Sequence, residues 1–124
     1  MSGEAGREPV YPPVHSGWEI SPEAVRDLLH RDPARVLLID CRTEKEWQLS
    51  RIAGAVHVPM GDVAQRLHEL EAREAEHVIV HCHHGVRSMA VVEFLRRHGV
   101  DGALSMAGGI DRWSREIDPS VPRY

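Results

Sequence analysis

The stretch His77-Val78-Ile79-Val80-His81-Cys82-His83-His84-Gly85-Val86-Arg87-Ser88 carries the reading of the fold. Val78, Ile79 and Val80 form a short, uninterrupted apolar run. Such a run predicts a strand buried on both faces, as in a parallel sheet, and it delivers Cys82 at its carboxyl end. His83 to Val86 read as a tight loop. Ser88 to His98 read as a helix with Ala90, Val91, Phe94 and Leu95 inward and Gly99 closing it. A cysteine between a buried strand and a helix lies where loop N–H groups form a nest and the helix start adds partial positive charge. Such a setting favours thiolate over thiol and lowers a cysteine pKa from about 8.5 to roughly 3.5–7.5. Gly85 supplies a backbone angle that a side chain forbids. Arg87, always charged, either favours an anion in the cradle or ties the loop to a carboxylate such as Asp40. His83 and His84 change charge near neutral pH.

The same alternation extends in both directions. Ser21-Pro22-Glu23 is a helix start, followed by Ala24, Val25, Leu28 and Leu29 at helical spacing until Asp32-Pro33 ends the helix. Val36-Leu37-Leu38-Ile39-Asp40 repeats the buried-strand pattern and ends on a carboxylate. Thr43 and Glu46 predict a capping box that opens a short helix through Trp47. Val56-His57-Val58 reads as a strand stopped by Pro59, and Gly61 to Arg73 as a helix. Ala103 to Met106 read as the last strand, and Ile110 to Ile117 as the last helix. Trp18-Glu19-Ile20 adds a short strand at the front. Strand and helix alternate throughout, which predicts a three-layer α/β fold: a central, mainly parallel sheet of about five strands with helices on both faces. Active sites in such sheets lie beyond the carboxyl ends of the strands, where Asp40 and Cys82 both fall. Residues 1–16, rich in Gly and Pro, read as an extended or disordered arm, and residues 17–124 as one domain.

Composition narrows the function classes. With 19 acidic and 15 basic residues the formal charge is -4, which argues against a general nucleic-acid or membrane-surface binder. No apolar run is long enough to span a membrane, and the first residues lack the apolar core of a secretory signal. The expected location is the cytosol, where two cysteines are read for reactivity rather than for crosslinking. Cys41 reads as a packed core thiol. A metal site built from His81, Cys82, His83 and His84 is disfavoured, because adjacent residues on a strand end point in different directions; no metal and no cofactor are expected.

The order Cys82-x-x-Gly85-x-Arg87-Ser88 after a hydrophobic strand resembles the active-site loop of the rhodanese-like sulfurtransferases. Leu38-Ile39-Asp40-Cys41-Arg42 resembles that family's Asp-x-Arg strand end. Glu46-Trp47, then Ile52-Ala53-Gly54-Ala55 and Val58-Pro59, resemble its next stretch, and Gly108-Gly109-Ile110-Asp111-Arg112-Trp113 its closing helix. Ser50-Arg51 and Ala53 depart from the common Gly-His and proline around the isoleucine. The His-His-Gly loop and the ending Asp118 to Tyr124 look like single-domain bacterial members and like rhodanese domains fused to enzymes that activate sulfur-carrier proteins.

The resemblance implies a persulfide mechanism. Cys82 is the nucleophile; His83, His84, Gly85, Val86, Arg87 and Ser88 form the substrate-binding loop; Asp40 and Arg42 support the crevice. The implied donor is thiosulfate or a persulfide, and the implied acceptor is cyanide, a thiol or a sulfur-carrier protein. The oligomeric state is left open. A cysteine-based phosphatase or arsenate reductase is the competing enzyme class, but its loop places arginine after five intervening residues, whereas Arg87 comes after four. A non-catalytic binding module is the other alternative, and it usually accompanies loss of the cysteine.

Overall fold

The computed structural model describes residues 15–124, so most of the expected amino-terminal arm lies outside the described residues. Five strands alternate with five helices. Strands are β1 (Glu19–Ile20), β2 (Val36–Asp40), β3 (Val56–His57), β4 (His77–His81) and β5 (Leu104–Met106). Helices are α1 (Pro22–Arg31), α2 (Glu44–Leu49), α3 (Val63–Glu71), α4 (Val86–Arg97) and α5 (Gly109–Glu116). The sheet order is β1-β5-β4-β2-β3, and every pairing is parallel. β5, β4 and β2 are therefore the inner strands, and the side chains of β4 and β2 pack on both faces.

The strand period of two divides the core. Leu37, Ile39, Cys41, Val80 and Cys82 face one side, where Val63, Leu70, Val91, Val92 and Leu95 of α3 and α4 cover them. Leu38 and Ile79 face the other side with Val25 of α1 and Ile110 and Trp113 of α5. Local signals set the helix starts. Ser21 Oγ accepts from Ala24 N at 3.1 Å, with Pro22 in the first turn of α1. Thr43 Oγ1 accepts from Glu46 N while the Glu46 carboxylate accepts from Thr43 N, both at 3.2 Å, a complete capping box.

Two helix starts differ from the sequence reading by two residues. The helix after Cys82 begins at Val86 rather than Ser88, so Val86 and Arg87 lie in its first turn, not in the loop. The expected helix from Gly61 is a single 3₁₀ turn (Met60–Asp62) that leads into α3. Among the described residues no helix is long and apolar enough to cross a membrane.

The amino end of α5 is pressed against the loop after β4. Ile110 N donates to Cys82 O at 2.9 Å and Asp111 N to His83 O at 3.1 Å. Gly109 makes this approach possible: its φ is +60°, and a Cβ there would overlap both carbonyl groups. Gly109→Ala is therefore expected to cost at least about 2 kcal/mol in urea unfolding. Gly61→Ala, where a Cβ meets open space, is expected to stay within about 0.5 kcal/mol of the parent.

Candidate active site

Cys82 lies just past β4 and is 1% exposed. A buried sulfur here needs donors, and the turn into α4 provides them. Gly85 N donates to Cys82 Sγ at 3.1 Å and Ser88 N at 3.3 Å. Gly85 adopts φ +104°, the left-handed region, which turns its N–H inward. Ser88 N is a first-turn group that no helical carbonyl uses. Ser88 Oγ stands 3.4 Å from the sulfur and 2.7 Å from the buried Ser105 Oγ on β5. With the sulfur ionised, Ser88 donates to it and accepts from Ser105.

Cys41 completes the environment. It follows β2 in the register that pairs Ile39 with Val80 and Asp40 with His81, so it stands beside Cys82 on the same face. Each thiol shifts the pKa of the other. The Cys41 thiol, then Ser88 and the two backbone N–H groups, hold Cys82 well below the ordinary thiol range despite the opposing effect of burial. The hydrogen bond to Cys82, followed by burial, pushes Cys41 well above that range. The arrangement is a preformed thiolate with a protonated neighbour.

The other predicted residues divide into two groups. Asp40 and Arg42 do not face the sulfur. Asp40 lies on the opposite face of the sheet, and Arg42 is fully buried beside it, with Arg42 Nη2 at 2.6 Å and Nε at 2.9 Å from the carboxylate. Burial alone would raise the Asp40 pKa, but the guanidinium holds it below the usual value. Arg42 also donates to Ser50 O at 2.6 Å, Glu46 O at 3.3 Å and Tyr124 Oη at 2.9 Å. It thereby braces the chain from β2 through α2. His81 shares that face, lowered in pKa by burial, with Nε2 3.6 Å from Asp40. His81 and Cys82 thus point to opposite sides of the sheet, and the four-residue metal set does not converge.

Arg87 reaches away from the cradle, and its partner is Glu46 rather than Asp40. Its two Nη atoms donate to the two carboxylate oxygens at 2.6 and 2.9 Å, which drives the Glu46 pKa down and that of Arg87 up. The His83 and His84 rings also point outward. His83 stacks on Tyr124 with ring centroids 4.1 Å apart, and its Nε2 lies 3.1 Å from Tyr124 O. Burial lowers the His83 pKa, and His84 adds to the effect. His84 is exposed, with Nε2 3.9 Å from Asp111. His83, His84 and Asp111 place ligand atoms within 4.8 Å of one another, yet both Asp111 oxygens already pair with Arg115 and Arg123. The N–H groups of His84, Val86 and Arg87 have no protein acceptor among the described residues, so the cradle keeps donors beyond the two that hold the sulfur.

Sequence reasoning missed Glu46 as more than a cap, and missed Ser105 and Tyr124. Tyr124 Oη donates to Glu46 at 2.7 Å while accepting from Arg42, and its own pKa is pushed up to about 12, burial being the main cause. The tail thereby closes a network that joins the ends of β2, α2, the loop after β4 and α4. The resemblance of residues 118–124 to the ends of carrier-activating proteins was the available signal.

Comparison with known proteins agrees with this geometry. The Rhodanese-like domain family model matches residues 21–116. Thiosulfate sulfurtransferase GlpE of Actinobacillus succinogenes is 33% identical over 107 residues, covering 86% of this chain and 92% of that protein. Adenylyltransferase and sulfurtransferase MOCS3-1 of Zea mays is 31% identical over 93 residues, 71% of this chain, and the chain spans only 20% of that longer protein. A solved Rhodanese-like domain protein from Staphylococcus aureus superposes with a TM-score of 0.71 at 26% identity, covering 86% of this chain and 97% of that one.

Three substitutions test the site. In a double-mutant cycle, Glu46→Gln and Arg87→Gln are expected to show a coupling of about 1–2 kcal/mol, since the pair is bidentate and mostly shielded. Ser88→Ala removes one donor to the anion. The pH at which iodoacetamide alkylation of Cys82 reaches half its maximum rate is expected to move upward.

Proposed function

Because the chain belongs to the Rhodanese-like domain family, we propose that it is a sulfurtransferase that carries sulfane sulfur as a persulfide on Cys82. The observation that carries this reading is the buried Cys82 Sγ, held as an anion by Gly85 N, Ser88 N and its thiol and hydroxyl neighbours. A thiolate formed in advance needs no separate base. In the first half-reaction Cys82 Sγ attacks the outer sulfur of thiosulfate; the sulfur–sulfur bond of thiosulfate breaks and sulfite departs with the electron pair. The outer sulfur stays on Cys82 with a negative charge, facing the free N–H groups of His84, Val86 and Arg87. In the second half-reaction a thiophile attacks that outer sulfur and Cys82 leaves as thiolate.

Residues at the mouth favour a protein or thiol acceptor. Val86 and Tyr124 are 46% and 41% exposed, among the few large apolar side chains left in water, and both border the catalytic loop. An apolar rim around a buried nucleophile suits a protein tail that carries a thiol or thiocarboxylate. The phosphatase alternative lacks support, because Arg87 is committed to Glu46 and the loop is one residue short for that chemistry.

Wild-type protein is expected to form thiocyanate from thiosulfate and cyanide with ping-pong kinetics, and Cys82→Ser to lose that activity to background. Undiminished thiocyanate formation by Cys82→Ser would remove Cys82 from the chemistry.

A further inference from the structure

Cys41 is a second buried thiol that takes no covalent part in the transfer reaction. It is 1% exposed, it is a free thiol, and it lies on the inner strand next to the one that carries Cys82. Its placement is set by the sheet. β2 and β4 are parallel, and the register runs Leu37↔Val78, Leu38↔Ile79, Ile39↔Val80, Asp40↔His81. Cys41 N continues the ladder by donating to His81 O at 3.1 Å. One step further, Cys41 stands opposite Cys82. Both side chains fall on the face shared with Ile39 and Val80, in one packed cluster.

Neighbouring strands lie about 4.8 Å apart. A disulfide accepts Cα separations of about 4.4–6.8 Å, so residues in this relation are within bridging reach. In agreement with that placement, each thiol shifts the pKa of the other, Cys82 downward and Cys41 upward.

We propose that Cys41 is a resolving thiol, which attacks the inner sulfur of a Cys82 persulfide to form a Cys41–Cys82 disulfide and release hydrosulfide. The inference rests on the persulfide reading above. With bare Cys82 the two sulfurs only share a proton. Transfer of sulfane sulfur moves the negative charge one bond outward, and Cys41 then faces a neutral sulfur that carries a leaving group. The bond that forms joins Cys41 Sγ to Cys82 Sγ; the bond that breaks joins Cys82 Sγ to the outer sulfur. The outer sulfur takes that electron pair and the Cys41 proton and departs as hydrosulfide. The outer sulfur is reduced by one electron and the Cys41 sulfur is oxidised by one; the Cys82 sulfur, bonded to another sulfur before and after, does not change. Two equivalents of a small thiol then reduce the disulfide and restore the chain. Over a full cycle, thiosulfate and two thiols become sulfite, hydrosulfide and an organic disulfide. This is a thiosulfate-reducing activity distinct from transfer to an acceptor, and it operates when no acceptor reaches the outer sulfur.

The test is intact-mass analysis without oxygen. The protein is mixed with thiosulfate alone, freed of small molecules, and followed in time by mass and by hydrosulfide release. Wild type is expected first to gain one sulfur atom. It then loses that atom together with two hydrogens and releases one hydrosulfide per chain, and peptide mapping joins Cys41 to Cys82. Cys41→Ala, and Cys41→Val as the better-filled alternative, are expected to hold the persulfide at least about tenfold longer, because the intramolecular attacking thiol is gone. A wild-type persulfide as long-lived as that of the variants overturns the inference and leaves the persulfide reading standing. A disulfide that joins two chains overturns it as well. If no form of the protein gains sulfur, the persulfide reading falls first and the inference falls with it.

Discussion

An anion kept out of water must be satisfied by something other than water, and this requirement shapes one end of the molecule. Cys82 is nearly inaccessible, and among the described residues no cationic side chain hydrogen-bonds to its sulfur. The negative charge is held by oriented dipoles: two backbone N–H groups, a hydroxyl backed by Ser105, and a neighbouring thiol. Dipoles of this kind stabilise charge without neutralising it, so the sulfur keeps its nucleophilicity. Each donor depends on a fold-level feature. Ser88 N is available to the sulfur because it lies in the first turn of α4, Gly85 N turns inward because Gly85 is left-handed, and Cys41 arrives because β2 is parallel to β4 in this register.

The carbonyl oxygens of the loop raise the complementary problem, since oxygens aimed at the thiolate would repel it. The amino end of α5 draws the carbonyls of Cys82 and His83 away by hydrogen bonding to them. Gly109 permits contact close enough for that. Behind the sheet, the Asp40–Arg42 pair stands on the other face and distributes the Arg42 donors over α2 and Tyr124. Buried pairs of this sort are weak sources of net stability, because desolvation offsets their attraction. Their evident effect here is positional: they fix the path from β2 through α2 that presents Glu46 to Arg87.

The fold was legible because its signals are local. Buried strands announce themselves as short apolar runs, and Ser21, Pro22, Thr43 and Glu46 mark helix starts within one turn. The strand–cysteine–helix junction was legible for the same reason: strand, cysteine, glycine and helix follow one another in sequence. The Glu46–Arg87 pair spans 41 positions and the Tyr124–Glu46 contact 78, and no periodicity encodes either. Asp40 was placed at the crevice because it ends a strand, but the alternation of side chains along β2 sends it to the face opposite Cys82. The same alternation brings Cys41, read as packing alone, to the face that carries the Cys82 sulfur. The strand parity was present in the sequence; the register between strands was not, and the register decides which cysteines meet.

The central claim is that the fold holds Cys82 as a thiolate before any donor arrives. Ultraviolet titration of the thiolate band, wild type minus Cys82→Ser, tests it most directly. A midpoint well on the acid side of the ordinary thiol value of about 8.5 is the predicted result. A midpoint at or above that value would contradict the account.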